Sequence, residues 1–278
     1  MVLAPNPSPM THWGTNTYII GEGAVAVIDP GPALPEHLTA ILAALAPGER
    51  VSHILVTHPH LDHSPLARPL AEATGAPVLG FGPAGTGLSP RMAGITGLGG
   101  GEGIDTGFTP DVQLADGDFI PGGDWQLEVL HTPGHMAGHL AFALDGLLFT
   151  GDHVMGWAPS LVSPPEGDMT DYMASLDRLA ARPWRRFLSA HGLPVETPAA
   201  RLSELTTHRR ARETAILEAL TQGPAGLDAL TARVYSDVSP ALQPAARRNL
   251  LAHLIDLSDR KQITADRPTL HSATFTRS

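Results

Sequence analysis

Three imidazoles and a carboxylate crowd into six positions at His58, His60, Asp62 and His63, directly after the apolar stretch His53-Ile54-Leu55-Val56. So dense a set of ligand side chains at a strand end commits the chain to a fold that brings them to one point. Imidazole nitrogen and carboxylate oxygen suit a borderline divalent cation such as Zn²⁺, and two ions use such a cluster more readily than one. The dull alternative is a histidine-rich turn, or a purification tag, in a chain holding 14 histidines. Repetition downstream weighs against it. Four strand-like runs each end in a polar turn with a potential ligand: 53–57 into His58, 126–132 into His135, 147–150 into Asp152 and 186–190 into His191. Strands that discharge ligands at one end build one site.

The rest of the first 200 residues alternates strand and helix signals. Segments 16–20 and 24–29 predict a hairpin across Gly21-Glu22-Gly23, and a helix follows at about 34–46. A second helix is predicted near 64–74, with Leu66, Leu70 and Ala71 on one face, which puts His63 at a helix start. Further strands are expected near 77–80, 125–132, 139–144 and 146–150, the last two joined by the hairpin signal Asp145-Gly146, and a helix from Asp171 to about Ala181. Residues 81–109 show no periodicity and include the run Gly97 to Gly103. A nucleotide loop is excluded there: no Gly-Lys-Ser/Thr occurs, and Lys261 is the chain's single lysine. A solvated loop and a substrate lid both stay open.

At this point the chain resembles the metallo-β-lactamase-fold hydrolases. The resemblance rests on His58, His60, Asp62 and His63, then on His135 in Thr132-Pro133-Gly134-His135, Asp152 in Thr150-Gly151-Asp152 and His191 in Ser189-Ala190-His191-Gly192, spanning roughly residues 14 to 196. It implies that His58, His60 and His135 hold one metal, that Asp62, His63 and His191 hold a second, and that Asp152 bridges them. It also implies an α+β fold, an αββα sandwich. The stretches around Asn6, Gly14, Gly151 and Pro164 look like the β-lactamase-like protein 2 group, which includes glyoxalase II-like relatives and a single-strand RNA endonuclease. With no cysteine, the antibiotic-hydrolysing enzymes that place a thiolate on the second metal are disfavoured, and only their cysteine-free subclasses stay open.

Residues 206–272 read as a separate unit. Helices are expected near 206–221, 226–235 and 240–258, followed by a two-stranded wing from 262–264 and 269–271. The pattern resembles the winged-helix extension of this hydrolase branch, giving domains of 1–200 and 201–278. Arg247 and Arg248 lie where a DNA-reading helix could use them. Such an extension also serves to shape a cleft or a dimer contact. Residues 201–278 carry 11 basic against 8 acidic residues, a modest footprint, and the remainder carries 7 against 20.

The expected function is hydrolysis of a small ester or thioester, hydroxyacylglutathione-like, by a hydroxide on two divalent ions, most simply Zn²⁺ with Mn²⁺ or Fe²⁺ as alternatives. Asp62 and Asp152 are expected to carry catalysis. His131, His139 and His153 flank ligands and read as outer-sphere donors, substrate contacts or packing residues. Tyr18, Met155, Trp157, Glu166 and Tyr172 read as pocket candidates, with core packing as the alternative. Competing readings are a phosphodiesterase cutting single-stranded RNA, a one-iron dioxygenase of the same fold, and a ligand-sensing transcription factor with a degenerate enzyme domain. Seven filled ligand positions argue against the last two.

With no cysteine, no apolar run near the roughly 20 residues a bilayer requires, and no basic leader before an apolar segment, a soluble cytoplasmic protein without membrane contact is expected. A small-molecule partner is expected, with single-stranded RNA and a homo-oligomer left open.

Overall fold

Strand runs that stay apolar at successive positions, such as Ala24-Val25-Ala26-Val27-Ile28, belong to sheets covered on both faces. The computed structural model describes residues 1–95, 98 and 103–278. Among them a first sheet lays side by side β1 (Val2–Leu3), β2 (Asn16–Ile20), β3 (Ala24–Ile28), β4 (Arg50–Leu55), β5 (Val78–Gly80) and β6 (Val112–Gln113). A second sheet lays side by side β7 (Phe119–Pro121), β8 (Gln126–His131), β9 (Leu140–Leu144), β10 (Leu147–Gly151) and β11 (Arg186–Ser189).

Three apolar layers follow from this arrangement. Tyr18, Ile28 and Leu55 of the first sheet meet Leu127, Phe142 and Phe149 of the second between the sheets. Helices α1 (Pro35–Ala43) and α2 (Ala67–Thr74) cover the outer face of the first sheet through Ile41 and Leu70. After the short α3 (Pro90–Ala93), helix α4 (Met169–Ala180) and the first turns of α5 (Pro198–Leu220) cover the second sheet through Tyr172, Leu176, Leu202 and Leu205. Each fully buried Leu or Phe contributes about 1.5–3 kcal/mol. The result is an αββα sandwich whose strand ends are held firmly.

The C-terminal winged helix consists of the remainder of α5, α6 (Leu227–Val234), α7 (Gln243–Asp259) and a small sheet in the order β12 (Ala225–Gly226), β14 (Thr274–Arg277), β13 (Ile263–Ala265). Its second wing strand is 274–277, not 269–271. Residues 270–272 form a 3-10 turn, and Phe275, fully buried, anchors the strand. Helix α5 begins at Pro198, eight residues before the position its sequence suggests, and runs unbroken across position 200. Pro198 starts it, as proline does in a first turn.

Three other elements depart from expectation. Strand β4 stops at Leu55, because the Thr57 N–H turns away to Asp29 Oδ1 at 2.8 Å. Helix α2 starts at Ala67, so His63 lies in an irregular turn rather than at a helix start. Helix α4 starts at Met169, where Asp168 caps it by accepting the Thr170 N–H at 3.0 Å. The described part of 81–109 is anchored at a few points and largely solvent-exposed between them. Met92 and Phe108 are buried, and Arg91 reaches Asp168, Asp171 and Asp259. Most of the glycine run at 97–103 lies outside the described residues.

No described helix is long and apolar enough to cross a membrane.

Candidate metal centre

Strands β8 and β10 each pair antiparallel with β9, and β11 pairs parallel with β10, so all three run the same way. Their C-terminal ends therefore release His135, Asp152 and His191 at one edge of the sandwich. The loop after β4 reaches the same edge, where the Leu140 N–H donates to the Thr57 carbonyl at 2.8 Å.

All seven expected residues meet there, in two groups that share Asp152. The first holds His58, His60, His135 and Asp152, and the second Asp62, His63, Asp152 and His191. His58 Nε2 lies 2.8 Å from His60 Nδ1, His135 Nε2 lies 3.3 Å from His60 Nδ1, and Asp152 Oδ2 lies 3.7 Å from His135 Nε2. Across the second group, His191 Nε2 is 3.1 Å from Asp62 Oδ2 and 3.2 Å from Asp152 Oδ1, and His63 Nε2 is 3.5 and 3.6 Å from the same two atoms. Each oxygen of Asp152 thus faces a different group.

Ligands about 2.0–2.1 Å from a tetrahedral ion stand roughly 3.3 Å apart, so these separations fit a metal without rearrangement. The polar atoms also suit one. His63 Nε2, Asp152 Oδ1 and His191 Nε2 are buried without a partner of hydrogen-bond geometry, an arrangement costly enough to be rare in a core. Charge points the same way. Burial alone would depress His63, but the carboxylates of Asp62, Asp152 and Asp29 outweigh it and hold its pKa well above the ordinary value. The same balance, with Asp152 foremost among the carboxylates, raises His191 to about 10. Asp62 and Asp152 are themselves held low against burial, Asp62 chiefly by His63, and Asp152 chiefly by His191 and then His63. In the first group burial and neighbouring imidazoles keep His58 well below its ordinary value and His60 at about 3, and burial lowers His135. Three neutral imidazoles present lone pairs there.

Outer partners decide which ring nitrogen faces inward. His135 Nδ1 donates to the Leu161 carbonyl at 2.6 Å and His191 Nδ1 to the Gly14 carbonyl at 3.0 Å, leaving each Nε2 toward the centre. His58 Nδ1 donates to Thr57 Oγ1 at 3.0 Å, and that hydroxyl donates to Asp29 Oδ2 at 2.8 Å. His63 Nδ1 donates to the same Asp29 oxygen at 3.0 Å. Asp29 escaped the sequence reading because an Asp-Pro-Gly strand end reads as an ordinary turn. The one local hint is that a polar turn closes an otherwise apolar strand. The structure places it at φ +49° and buries it, aimed at Thr57 and His63. Asn16 was also missed as a site residue: its side-chain N–H groups clamp the His191 turn through the carbonyls of Ser189 and Gly192 at 3.0 and 2.9 Å.

Glycine precedes two ligands for steric reasons. A Cβ on Gly134 would fall 2.3 Å from Tyr172 Cα, and one on Gly151, at φ +49°, would fall 2.6 Å from His139 Nε2. His139 accepts the Asp152 backbone N–H at 3.3 Å and so positions the shared carboxylate. His131 instead reaches the Ala137 carbonyl and stacks on Phe81, while His153 is buried against Tyr172. Of the pocket candidates, Tyr18, Met155 and Tyr172 belong to the core, whereas Trp157 is exposed and Glu166 only partly buried.

Two ligand groups hinged on one carboxylate at the rim of an αββα sandwich define a class, the metal-dependent hydrolases. The chain belongs to the metallo-beta-lactamase superfamily, whose family model matches residues 10–191, and residues 227–267 match the beta-lactamase associated winged helix domain. It is 29% identical over 270 residues to the beta-lactamase-like protein 2 homolog of Drosophila melanogaster, covering 92% of this chain and 86% of the relative. It is 30% identical over 227 residues to the atrochrysone carboxyl ACP thioesterase dmxR1 of a Cryptosporiopsis species, covering 80% of this chain and 62% of that one. The crystal structure of a metallo-beta-lactamase family protein from Thermus thermophilus superposes with a TM-score of 0.79 at 26% identity, over 100% of this chain and 97% of that one.

Proposed function

We propose that this protein hydrolyses a small carboxylic ester or thioester with two zinc ions, one held by His58, His60 and His135, the other by Asp62, His63 and His191, and both by Asp152. The observation that carries the reading is Asp152, with Oδ2 toward one group and Oδ1 toward the other. When bound, such ions supply a water acidified to a pKa of about 7 and polarise the scissile carbonyl oxygen. The protein's own groups do the rest. Asp62, whose side chain is 26% exposed against 11% for Asp152, faces the opening and would orient the attacking water by accepting a hydrogen bond from it. The outer partners Asp29, Leu161 and Gly14 hold the imidazoles so that no reorganisation accompanies the reaction. Imidazole and carboxylate donors suit iron and manganese too, so metal analysis belongs to the test.

A carbonyl substrate is favoured over RNA by where the arginines of the C-terminal domain point. Arg201 donates to the carbonyls of Met155 and Ala158, Arg209 to Ser160, and Arg248 to Leu98 and Pro164. Arg247 pairs with Asp228 and Arg212 with Asp237. Helix α7 buries nine residues from Ala246 to Leu257, and in its less buried N-terminal half Arg248 and Asn249 are turned to residues 98 and 162–164. The similarity to a protein named a thioesterase supports the same reading.

The test is protein of measured metal content assayed side by side on a lactoylglutathione-type thioester, a bis-aryl phosphodiester and a short single-stranded RNA. Thioester turnover with inert RNA is expected. RNA cleavage with binding that falls steeply with salt would replace this reading by the phosphodiesterase.

A further inference from the structure

One flank of the centre is apolar. Beside the second ligand group, the loops that position His191 and Asp152 expose large apolar side chains. Trp13, 54% exposed, adjoins Gly14, whose carbonyl holds His191. Trp157, 36% exposed, lies five residues beyond Asp152 and packs on the turn after His191, where a Cβ on Gly192 would fall 2.8 Å from its ring. His12 joins the two indoles, with ring centroids 4.2 Å from Trp13 and 4.9 Å from Trp157. Leu193, 67% exposed, extends the surface past Gly192. These are the spacings of aromatic rings in contact, and among the described residues both indoles keep a substantial part of their surface open. His12 holds its place at φ +57°, a left-handed conformation uncommon outside glycine, within a turn closed by the Gly14 N–H on the Thr11 carbonyl at 2.9 Å.

Charge narrows what such a surface accepts. Residues 1–21, 153–165 and 187–195, which build it, contain no Lys, Arg, Asp or Glu. The guanidinium of Arg201 reaches under this region, but it is buried and turned to the carbonyls of Met155 and Ala158 and to Glu204. Within those three segments no lysine or arginine stands ready to pair with a phosphate or carboxylate. A contiguous apolar patch beside a reactive centre is the signature of a recognition surface for a neutral group.

We infer that Trp13, His12 and Trp157, extended by Leu193, form the subsite that receives a neutral, planar aromatic acyl group of the substrate, stacked on the indoles with its carbonyl toward the ligand groups. The assignment rests on the ester or thioester reading for its chemistry, but binding tests it separately. The probe is a naphthalene carboxamide, which cannot be turned over as an ester, titrated against tryptophan fluorescence of the metal-loaded protein. Binding by the wild type is expected. Trp13→Ala and Trp157→Ala should each weaken it about 3- to 10-fold, the worth of one aromatic contact. Phe119→Ala, an exposed aromatic at the edge of the second sheet, should leave it at the wild-type value. In parallel, the preference in kcat/KM for a naphthoyl over an acetyl thioester should fall by the same factors.

No binding by the wild type, or equal binding by both tryptophan variants, overturns the subsite. So does sedimentation showing a dimer that Trp13→Ala dissociates, which would give the face to a second copy. If the carboxamide binds as stated while both thioesters are inert, the ester reading falls and the subsite stands.

Discussion

Replacing Asp29 by Asn removes one charge from the centre without replacing a ligand. Asp29 Oδ1 accepts the Thr57 N–H, and Oδ2 accepts both the Thr57 hydroxyl and His63 Nδ1–H, all at 2.8 to 3.0 Å. Asn has the same shape and tolerates the left-handed φ of +49° as well as Asp does, so backbone strain does not change. Its amide nitrogen, however, must replace one oxygen. Set against the Thr57 N–H, it opposes donor to donor in a site 2% exposed, which costs about 1–3 kcal/mol of fold stability. Set at the Oδ2 position, it donates to His63 Nδ1, and the ring keeps its proton on Nε2, the atom an ion needs. Losing an outer partner of this kind lowers metal affinity about 10- to 100-fold. That corresponds to about 1.4–2.7 kcal/mol. Zinc titration against a chromophoric chelator resolves the two ions. The step assigned to Asp62, His63 and His191 should weaken, and that of His58, one hydroxyl further from Asp29, should change less. Wild-type affinity for both ions in Asp29→Asn would refute the argument that this carboxylate sets the tautomer.

Asp152→Ala should lose metal from both groups and more than about 100-fold in turnover, exceeding an outer-partner loss because each oxygen serves one group; elemental analysis showing two ions per chain would end the shared-carboxylate account. Gly151→Ala should destabilise the protein by about 1–3 kcal/mol in urea unfolding, since its Cβ would meet His139 Nε2 at 2.6 Å and Thr57 Oγ1 at 2.8 Å. Arg209→Met should cost about 2–4 kcal/mol, because the buried guanidinium donates to the Ser160 carbonyl and to Asn249 Oδ1. The same variant should loosen the segment carrying Leu161, read as faster amide exchange at 160–162.

Much of the centre was legible because its ligands sit in short turns after apolar strands, a local pattern that needs no partner to be seen. His58 to His63, His135, Asp152 and His191 each announce themselves this way. Long elements with strong periodicity, such as α4 and α7, were legible for the same reason. Elements of two to four residues were not. Strand β7 ends in Pro121, and α3 spans a single turn, so neither carries enough period to register; their neighbours supply the order. The second wing strand was misplaced because Thr269-Leu270-His271 and Thr274-Phe275-Thr276 look alike until burial selects Phe275.

The arginines show the limit most clearly. In sequence, Arg201, Arg209 and Arg248 are three cations in a basic segment, open to solvent or to phosphate. Folding turns each toward main-chain carbonyls of residues 155–164, so the segment's charge is spent holding the Asp152 loop.

From residues alone came the donor chemistry, the strand-and-turn rhythm and the number of ligands, because imidazole, carboxylate and hydrophobic period are properties of neighbours in the chain. Tertiary contact decided which ring nitrogen faces inward, that Asp152 turns one oxygen to each group, and that Asp29 and His139 stand behind the ligands. Those are matters of direction between segments up to 177 residues apart, and direction exists only once sheets and helices have closed around a common edge.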